Sequence, residues 1–344
     1  MTDVTWAGLD VGGAHLKAAR LDSGGRVTAA VQIPCALWQG LDQLEKALDE
    51  AWLITDGTMA VAVTMTGELV DLFPDRPTGV ARLLAVLEKR FGAAQLRVWS
   101  TAGFLDVQGA RADPLSVASA NWLATASHAA RQVREGLLVD IGSTTTDLVL
   151  LTRGQPVARG RTDRERLVSG ELIYTGSVRT PLMAVAREVP FAGDHVPVMA
   201  EYFATIADVW RILVKLPADA DQHPTADNGS KTIEASMQRL ARMIGSDLQD
   251  AAPREWMTLA SSFAGEQMDQ LTRAIERQLL LQRGRDKVPI LGAGCGSFIA
   301  AKLATRMGLD YKHFTDLVPS APQAAAEVGR CAPAVAVALL ARAG

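Results

Sequence analysis

Two segments of the chain repeat one order of apolar and polar positions. Residues 6–19 and 137–150 each contain an apolar run, an aspartate, one apolar residue, a glycine, a short turn and a second apolar run. This order predicts a β-hairpin in both places, with the glycine in its turn. Because the repeat occurs twice and not more often, it indicates a duplicated domain and not a solenoid.

Elsewhere, apolar residues recur at helical spacing. These stripes predict helices along 41–52 and 80–87, with short strands at 59–63 and 96–99 beside them. A further helix is predicted to begin at Pro114 and to carry Val117, Asn121, Trp122 and Thr125, with Asp113 as its N-cap. In the second half, helices are predicted at 200–216, 232–248, 255–281, 297–307 and 322–341, with a polar loop at 217–230. Strands alternating with helices in both halves predict an α/β fold with a cleft between two lobes.

Charge and cysteine content restrict the function further. Lysine and arginine number 35 and aspartate and glutamate 38 in 344 residues, so the formal net charge is −3. This balance, without a dense basic block, argues against nucleic acid or an anionic membrane as a partner. Cys35, Cys295 and Cys331 are odd in number and lack ligand spacing, so neither a disulfide framework nor a zinc site is expected. Residues 1–4 lack signal-peptide features and the apolar stretch 332–341 is too short to span a bilayer, so we expect a cytoplasmic protein.

The two glycine turns suit phosphate binding. A tight turn between strands points several backbone N–H groups at one place, and such a nest binds phosphate oxygens. One Asp-x-Gly hairpin is usually only a turn, whereas two matched copies favour binding. Asp10 and Asp140 are then placed to hold Mg²⁺ through water, and Lys17 adds a charge for a phosphate oxygen. The expected phosphate-binding residues are Gly12, Gly13, Ala14, His15, Lys17, Gly142, Ser143, Thr144 and Thr145.

A third glycine-rich segment lies near the end of the chain. Residues 288–297 predict a strand, a turn and the start of a helix, with glycines at Gly292, Gly294 and Gly296. Such a turn lets backbone approach a flat ring or places a helix N-terminus against an anion. A dinucleotide site is the rival interpretation. It is disfavoured because the segment does not lie in an N-terminal βαβ unit with an acidic residue at the required distance.

Together these three motifs resemble those of the actin, sugar-kinase and chaperone ATPase superfamily. The resemblance implies a two-lobed actin-like, ribonuclease H-like α/β fold with duplicated hairpin-led subdomains around a central cleft. The N-terminal lobe is expected at 1–133 and the C-terminal lobe at 134–344. The second lobe would contain a helical insertion at about 200–285 and the glycine-turn and helix motif at 288–307.

Segments between these motifs carry a narrower resemblance. Residues 64–71, 120–124, 175–181 and 239–243 are similar to those of hydantoinase/oxoprolinase-related proteins of the tetrahydromethanopterin-linked one-carbon pathway. That group includes the methanofuran (methylofuran in bacteria) biosynthetic synthase. The resemblance implies a transferase that joins 5-(aminomethyl)furan-3-ylmethyl diphosphate to the phenol oxygen of a tyramine or tyrosine unit and releases pyrophosphate.

This reaction assigns roles to particular residues. Asp10 and Asp140 would organise Mg²⁺ beside the diphosphate. Glu68 and Asp71 are the candidates for accepting the phenol proton or binding the substrate amine, and a solvated loop is the alternative for both. Arg76 and Arg179 can bind a carboxylate or phosphate through two hydrogen bonds. The expected substrate-binding residues are Arg76, Asn121, Arg179, Gly292, Gly294 and Gly296.

Two other functions remain open from the sequence. An ATP-dependent enzyme, either a small-molecule kinase or a lactam hydrolase, would bind ATP or ADP at the same turns. A non-enzymatic, ATP-switched scaffold would need a partner-binding domain or a polymer surface, and neither is evident. The helix predicted at 255–281 can pack inside the protein or pair with a second subunit, so a homodimer is an alternative to a monomer.

Overall fold

The computed structural model describes residues 5–57, 60–280 and 288–344. The predicted strand start at residue 59 and the predicted helix end at residue 281 lie outside these residues. Residues 1–4 and the last residues of the predicted insertion at 200–285 also lie outside them.

Strands and helices alternate along the described chain. The first half contains β1 (Trp6–Val11), β2 (His15–Leu21), β3 (Val27–Pro34), α1 (Leu41–Glu50), α2 (Trp52–Thr55), β4 (Ala60–Met65), α3 (Arg76–Phe91), β5 (Leu96–Ser100), β6 (Gly103–Leu105), α4 (Val107–Ala112), α5 (Pro114–Val117), α6 (Asn121–Gln132), β7 (Gly136–Ile141), β8 (Thr146–Thr152), β9 (Gln155–Val157) and α7 (Asp163–Ser169). The second half contains β10 (Leu172–Ile173), β11 (Glu188–Phe191), β12 (Asp194–Pro197), α8 (Ile206–Ile212), α9 (Ile233–Arg242), α10 (Pro253–Leu279), β13 (Ile290–Ala293), α11 (Ser297–Met307), β14 (Tyr311–His313), α12 (Ala325–Val328) and α13 (Ala332–Ala343).

The residues group into two compact units, which are described separately. Unit 1 contains Met1–Leu138, Val149–Glu165 and Lys312–Gly344, and unit 2 contains Val139–Leu148 and Arg166–Tyr311. Both units are therefore built from separate segments of the chain. No helix among the described residues is long and apolar enough to cross a membrane.

Unit 1 is built on a six-stranded sheet. Its strand order is β3-β2-β1-β4-β5-β6, with β1 antiparallel to β2 and parallel to β4. The antiparallel pair confirms the first predicted hairpin. Leu9 and Val11 of β1 join Leu16 of β2 in the core, where they meet Leu44 of α1 and Leu83 of α3. The helical stripes predicted at 41–52 and 80–87 therefore supply the apolar cover of this sheet.

Helix α13 also packs on this sheet, against β1, β2 and β4. The approach is close because β1 has a glycine at the contact. A Cβ on Gly8 would lie 2.9 Å from the Cβ of Ala338 and 2.9 Å from the carbonyl carbon of Ala334. Only a residue without a side chain allows the helix to lie this near to the strand. Residues that lie more than 300 positions apart in the sequence thus meet in the core of unit 1.

A second sheet has the strand order β10-β8-β7-β13-β14, with β9 also pairing with β8. β7 and β8 are adjacent and joined by the second predicted glycine turn. Helices α8, α9 and α10 of unit 2 pack on one another, and α10 also contacts α11 and β11. The helices predicted in the second half are thus present, and the polar stretch 217–230 contains no helix or strand.

Four of the predicted helices are shorter or divided in the structure. The helix predicted from Pro114 ends at Val117 and resumes at Asn121, because Ala118 is extended and Ser119 has a φ of 51°. Asp113 makes no side-chain cap, and Asn121 opens α6 instead of lying inside a helix. The helix predicted at 200–216 is limited to Ile206–Ile212. Before its start, the backbone N–H of Thr205 donates to Asp208 Oδ2 at 3.1 Å, and after its end Val214 has a φ of 53°. The helix predicted at 322–341 is divided into α12 and α13, and the one predicted at 232–248 covers only Ile233–Arg242.

Candidate functional site

The first glycine turn joins β1 to β2 and is tight. Gly12 donates its N–H to the carbonyl oxygen of His15 at 2.9 Å. A Cβ on Gly12 would lie 2.8 Å from that oxygen, so a larger residue would displace the backbone. The hairpin register places Lys17 opposite Asp10. The turn, the aspartate and the lysine predicted from the sequence are therefore neighbours in unit 1.

Asp10 lies near the end of β1 with only 2% of its surface exposed. Its Oδ2 lies 3.1 Å from Lys17 Nζ, whereas its Oδ1 is buried without a hydrogen-bond partner among the described residues. Thr64 lies beside Asp10 in the parallel register of β4. Its Oγ1 is also buried and, within the described part of the chain, has no partner. Because an unpartnered buried polar group costs about 1–3 kcal/mol, this position fits a ligand donor or an ion with its waters.

Mg²⁺ is the cofactor predicted from the sequence, and the surroundings of Asp10 fit it. Mg²⁺ keeps several waters and binds proteins through one or two carboxylates, and Asp10 Oδ1 can accept a hydrogen bond from such a water. Asp140 of unit 2 is 8% exposed. No three His, Cys, Asp or Glu side chains of the described ranges are grouped to hold a metal directly.

The second glycine turn, at residues 142–145, joins β7 to β8. Gly142 donates its N–H to the carbonyl oxygen of Thr145 at 2.9 Å, in the same way as its counterpart in the first turn. The backbone N–H of Arg179 donates to the carbonyl oxygen of Ser143 at 2.8 Å. The Arg179 side chain extends over the turn, with Nη1 3.5 Å from Thr144 Oγ1. Arg179 is thus held where a guanidinium could meet an anion bound by this turn.

The glycines after β13, Gly294 and Gly296, pack against the end of β7, where the second glycine turn begins. Gly296 donates its N–H to the carbonyl oxygen of Ile141 at 2.8 Å. Gly294 has a φ of 80°, and a Cβ there would lie 2.6 Å from Asp140 Oδ1. Unit 2 therefore brings together the second turn, Asp140, Arg179 and two of the three predicted glycines. Gly292 has a packing role, because a Cβ there would strike the ring of Tyr311.

Glu68 is a carboxylate that is almost completely buried in unit 1. It belongs to a short 3₁₀ turn, Gly67–Leu69, that follows β4, and only 1% of its surface is exposed. Its Oε1 accepts a hydrogen bond from Ser119 Oγ at 2.9 Å, while its Oε2 is buried without a partner among the described residues. Burial raises the pKa of Glu68 to about 7, and the nearby negative charge of Asp163 acts in the same direction. This carboxyl group can therefore exchange a proton near neutral pH.

Ser119 and Asp163 connect Glu68 to Arg76. Ser119 Oγ also lies 3.1 Å from Asp163 Oδ2, and Arg76 Nη2 forms an ion pair with the same oxygen at 2.7 Å. Ser119 is one of few residues other than glycine with a positive φ, 51°, a backbone conformation that is uncommon for serine. Arg76, predicted to bind substrate, thus has a carboxylate partner within the protein.

The turn that carries Glu68 lies against the first glycine turn. A Cβ on Gly67 would lie 3.2 Å from the carbonyl oxygen of Gly12 and 3.1 Å from that of Val11. The carboxyl ends of the parallel strands β1 and β4 therefore present both turns at one edge of the sheet, which is where ligands bind in α/β folds. Asp71, the second candidate proton acceptor, is exposed. The surroundings of the two carboxylates thus distinguish Glu68 from Asp71.

The structure also adds residues that sequence reasoning missed. Thr64 could have been found from the expected pairing of β4 with β1, which places it beside Asp10. Ser119 and Asp163 have no local signal, since they lie 51 and 95 positions from Glu68 in the sequence. Asn121 is engaged locally, with its Oδ1 accepting the N–H of Trp122 at 2.8 Å. Its predicted contact with substrate stays a prediction.

Comparison with known proteins gives the family context. The profile of the hydantoinase/oxoprolinase family matches residues 59–338. A Methanocaldococcus jannaschii protein named (4-{4-[2-(gamma-L-glutamylamino)ethyl]phenoxymethyl}furan-2-yl)methanamine synthase is 29% identical over 270 residues, which are 78% of this chain and 80% of that protein. A Methanococcus vannielii protein of the same name is 34% identical over 127 residues, which are 37% of this chain and 57% of that protein.

Solved structures show the fold. A ROK family glucokinase from Streptomyces griseus, in complex with glucose and AMPPNP, is similar over 99% of this chain and 100% of its own, with a TM-score of 0.51 and 14% identity. At this identity the similarity concerns the fold alone. The chain has the α/β fold of actin-like ATPases and sugar kinases, which confirms the predicted fold class.

Proposed function

Because the chain belongs to the hydantoinase/oxoprolinase family, we propose that it is a transferase that forms an aryl ether in methanofuran or methylofuran biosynthesis. The name of the M. jannaschii relative supports this proposal, since it describes a phenol oxygen joined through a CH₂ group to a furan that carries a methanamine. Such an ether forms when a phenol oxygen displaces a leaving group from a furylmethyl carbon.

The proposed substrates are 5-(aminomethyl)furan-3-ylmethyl diphosphate and the phenol of tyramine, tyrosine or a γ-glutamyl derivative. Diphosphate leaves readily once its developing negative charge is neutralised. The furan oxygen can donate electrons to the reacting carbon, so the carbon can carry positive charge as the bond to diphosphate lengthens. Catalysis would then consist mainly of electrostatic stabilisation and alignment of the phenol with that carbon.

Residues of both units have roles in this proposal. The turn formed by Gly12, Gly13, Ala14 and His15, with Lys17, would bind phosphate oxygens in unit 1. The turn at 142–145, with Arg179, would do so in unit 2. Asp10 in unit 1 and Asp140 in unit 2 are each proposed as a carboxylate for Mg²⁺, which when bound would neutralise charge on a phosphate group. Gly294 and Gly296 would let backbone approach a flat ring.

The observation that carries the proposal is the state of Glu68. Transfer to a phenol oxygen needs a group that takes the phenol proton, and a general base works best when its pKa lies near the working pH. Glu68 has a pKa of about 7 because it is buried, and one of its oxygens has no partner among the described residues. It also lies on a turn packed against the first glycine turn. A base and a diphosphate-binding element thus adjoin each other within unit 1.

Phosphorus NMR with Mg²⁺ tests this function. One sample would contain the furan diphosphate with tyrosine, tyramine or γ-glutamyl-tyramine, and a parallel sample ATP with the corresponding furan alcohol. We expect acceptor-dependent release of pyrophosphate in the first sample and unchanged ATP in the second. Loss of the ATP γ-phosphate together with an inert diphosphate would instead assign the protein to the kinases or ATPases.

Asp10→Asn provides the matched variant for the same assay. It keeps the shape of the side chain but removes the charge beside Lys17, so we expect turnover to fall by about 10²–10³-fold, the scale of losing one electrostatic contact in an active site. Circular dichroism would show whether the variant keeps the fold. A folded Asp10→Asn variant with full activity would contradict the assigned role.

A further inference from the structure

The contacts of Glu68 point to two residues that nothing above assigns to the reaction. Resting on the proposed function, we propose that Ser119 and Asp163 are positioning residues for Glu68. Ser119 holds one oxygen of the Glu68 carboxyl group by a hydrogen bond, Asp163 acts on this group through its negative charge, and the other Glu68 oxygen accepts the phenol proton. Glu68 is then the catalytic residue, and the other two act through it.

The Ser119 hydroxyl has a single hydrogen to donate. Ser119 Oγ lies 2.9 Å from Glu68 Oε1 and 3.1 Å from Asp163 Oδ2, and one hydroxyl can donate to only one of them. Asp163 Oδ2 already accepts from Arg76 at 2.7 Å. When Glu68 is ionised, the Ser119 hydrogen is therefore best used on Glu68 Oε1. The Glu68 carboxylate is fixed through that oxygen, and the buried Oε2 has no hydrogen-bond partner in the described part of the chain.

The charges around Glu68 act in opposite directions. Asp163 raises the pKa of Glu68, whereas the Ser119 hydrogen bond and the Arg76 guanidinium lower it. These three groups lie in the segment before α6 and at the starts of α7 and α3. Burial makes the largest contribution and favours the neutral acid. The backbone N–H of Glu68 and the Ser119 hydroxyl both lower the pKa of Glu68 and so oppose the effect of burial.

The chemical step balances with these groups alone. The phenol O–H bond breaks and its proton goes to Glu68 Oε2. The phenol oxygen forms a bond to the furylmethyl carbon, and the bond between that carbon and the diphosphate oxygen breaks, with its electron pair leaving on the diphosphate. Glu68 then returns the proton to solvent before the next turnover. Ser119 keeps its hydrogen bond to Oε1 throughout.

The backbone around Ser119 fits a positioning role. A positive φ at a residue other than glycine is strained and persists only where the surroundings hold it. This residue interrupts what would otherwise be one helix, since α5 ends at Val117 and α6 begins at Asn121. The interruption places the hydroxyl between two carboxylates that come from distant parts of the sequence.

The proposal predicts that two variants, Ser119→Ala and Asp163→Asn, shift the pKa of Glu68 in opposite directions. Ser119→Ala removes a hydrogen bond to the ionised form, so we expect the pKa of Glu68 to rise by about one unit. Asp163→Asn removes a neighbouring negative charge, so we expect it to fall by a similar amount. The acidic limb of the pH–rate profile should move with each variant. Ser119→Gly also lacks the hydroxyl but relieves the positive φ, so it should show the same rise if Ser119→Ala folds poorly.

The pKa of Glu68 can also be measured without turnover. The infrared band of its protonated carboxyl group, identified by its loss in Glu68→Gln, can be followed against pH in each variant. Ser116→Ala and Asp113→Asn, which change the same segment away from Glu68, are controls that should leave the titration unchanged. Shifts in one direction for both variants, or no shift, would overturn the proposal. Opposite infrared shifts without any turnover of the furan diphosphate would retain the positioning of Glu68 and reject the proposed function.

Discussion

Glu68 and His128 are both buried in unit 1, and burial moves their pKa values in opposite directions. The pKa of Glu68 rises from 4.5 to about 7, and that of His128 falls from 6.5 to about 4. Each shift favours the neutral form, because a charge is poorly solvated inside a protein. The ring of His128 lies 5.7 Å from that of Phe314, and its Nε2 has no partner among the described residues. Glu68 differs in its contacts with Ser119 and the Asp163–Arg76 pair.

The Glu68 shift predicts a pH-dependent effect of Glu68→Gln on stability. The folded pKa is raised, so the Glu68 contribution is fully present below pH 4.5 and is lost as the pH rises through 7. Glutamine cannot ionise, so the unfolding free energy of Glu68→Gln relative to wild type should increase by about 3 kcal/mol between pH 4.5 and pH 8. Urea unfolding at both pH values measures this change. A constant difference would show that Glu68 titrates normally.

Some residues of the candidate site can be identified from the sequence alone, and others cannot. Asp10 and Lys17 follow from the hairpin pattern, because antiparallel register places them opposite each other. Glu68 could be named as a candidate but not separated from Asp71, since burial depends on how α3 packs over the turn. Ser119 and Asp163 could not be found, because a positive φ at serine and a contact 44 residues apart leave no local pattern.

At the scale of elements, local patterns predicted which segments form helices better than where the helices end. The ends depend on single residues. A hydrogen bond from the Thr205 N–H to Asp208 marks the start of α8, and the positive φ of Ser119 separates α5 from α6. Apolar periodicity continues across such points because both neighbouring helices face the same core. The sequence therefore predicted one helix where the backbone forms two.

The close contact of α13 with β1 leads us to expect that an added side chain at Gly8 destabilises the protein. Gly8→Ala would place a Cβ 2.9 Å from Ala338 Cβ and also against the backbone of Ala334, so the helix would have to move away from the sheet. We expect a loss of about 1–3 kcal/mol in unfolding free energy, the usual cost of overpacking a core, measured by urea unfolding. The matched variant is Gly265→Ala in α10, where a Cβ meets nothing within 4 Å.

Gly265→Ala should change the unfolding free energy in the opposite direction, so that this variant is more stable than the wild type. Alanine is the better helix former by about 1 kcal/mol, and this position offers room for its methyl group. Equal effects of the two alanine variants would show that α13 does not pack closely on β1.

At the scale of the whole molecule, the opposed titrations of Glu68 and His128 should partly cancel. The folded pKa of His128 is depressed, so its contribution is present above pH 6.5 and is lost as the pH falls through 4. Between about pH 4.5 and 6.5 the Glu68 contribution changes in the opposite sense. Wild-type protein should therefore show a weaker dependence of stability on pH than either single variant.

Two variants separate these contributions. As the pH falls from 6.5 to 4.5, the unfolding free energy should decrease in Glu68→Gln, which keeps His128 but not the Glu68 carboxyl group. It should increase in His128→Leu, which keeps Glu68 but not the imidazole. Each change should be at most about 3 kcal/mol, measured by urea unfolding at several pH values. Parallel pH dependence in both variants and the wild type would exclude this compensation.

The packing of α13 on β1 has a consequence for synthesis on the ribosome. The apolar face of β1 around Gly8 receives its cover from residues 332–343, so it stays uncovered while the intervening chain is translated. At roughly 5–20 residues per second, the ~320 residues between β1 and α13 take about 15–65 s to add. During that interval one apolar face of β1 lacks the cover that α13 gives it in the folded protein. Binding by a chaperone that recognises extended apolar segments would protect this face until residues 332–343 have been added.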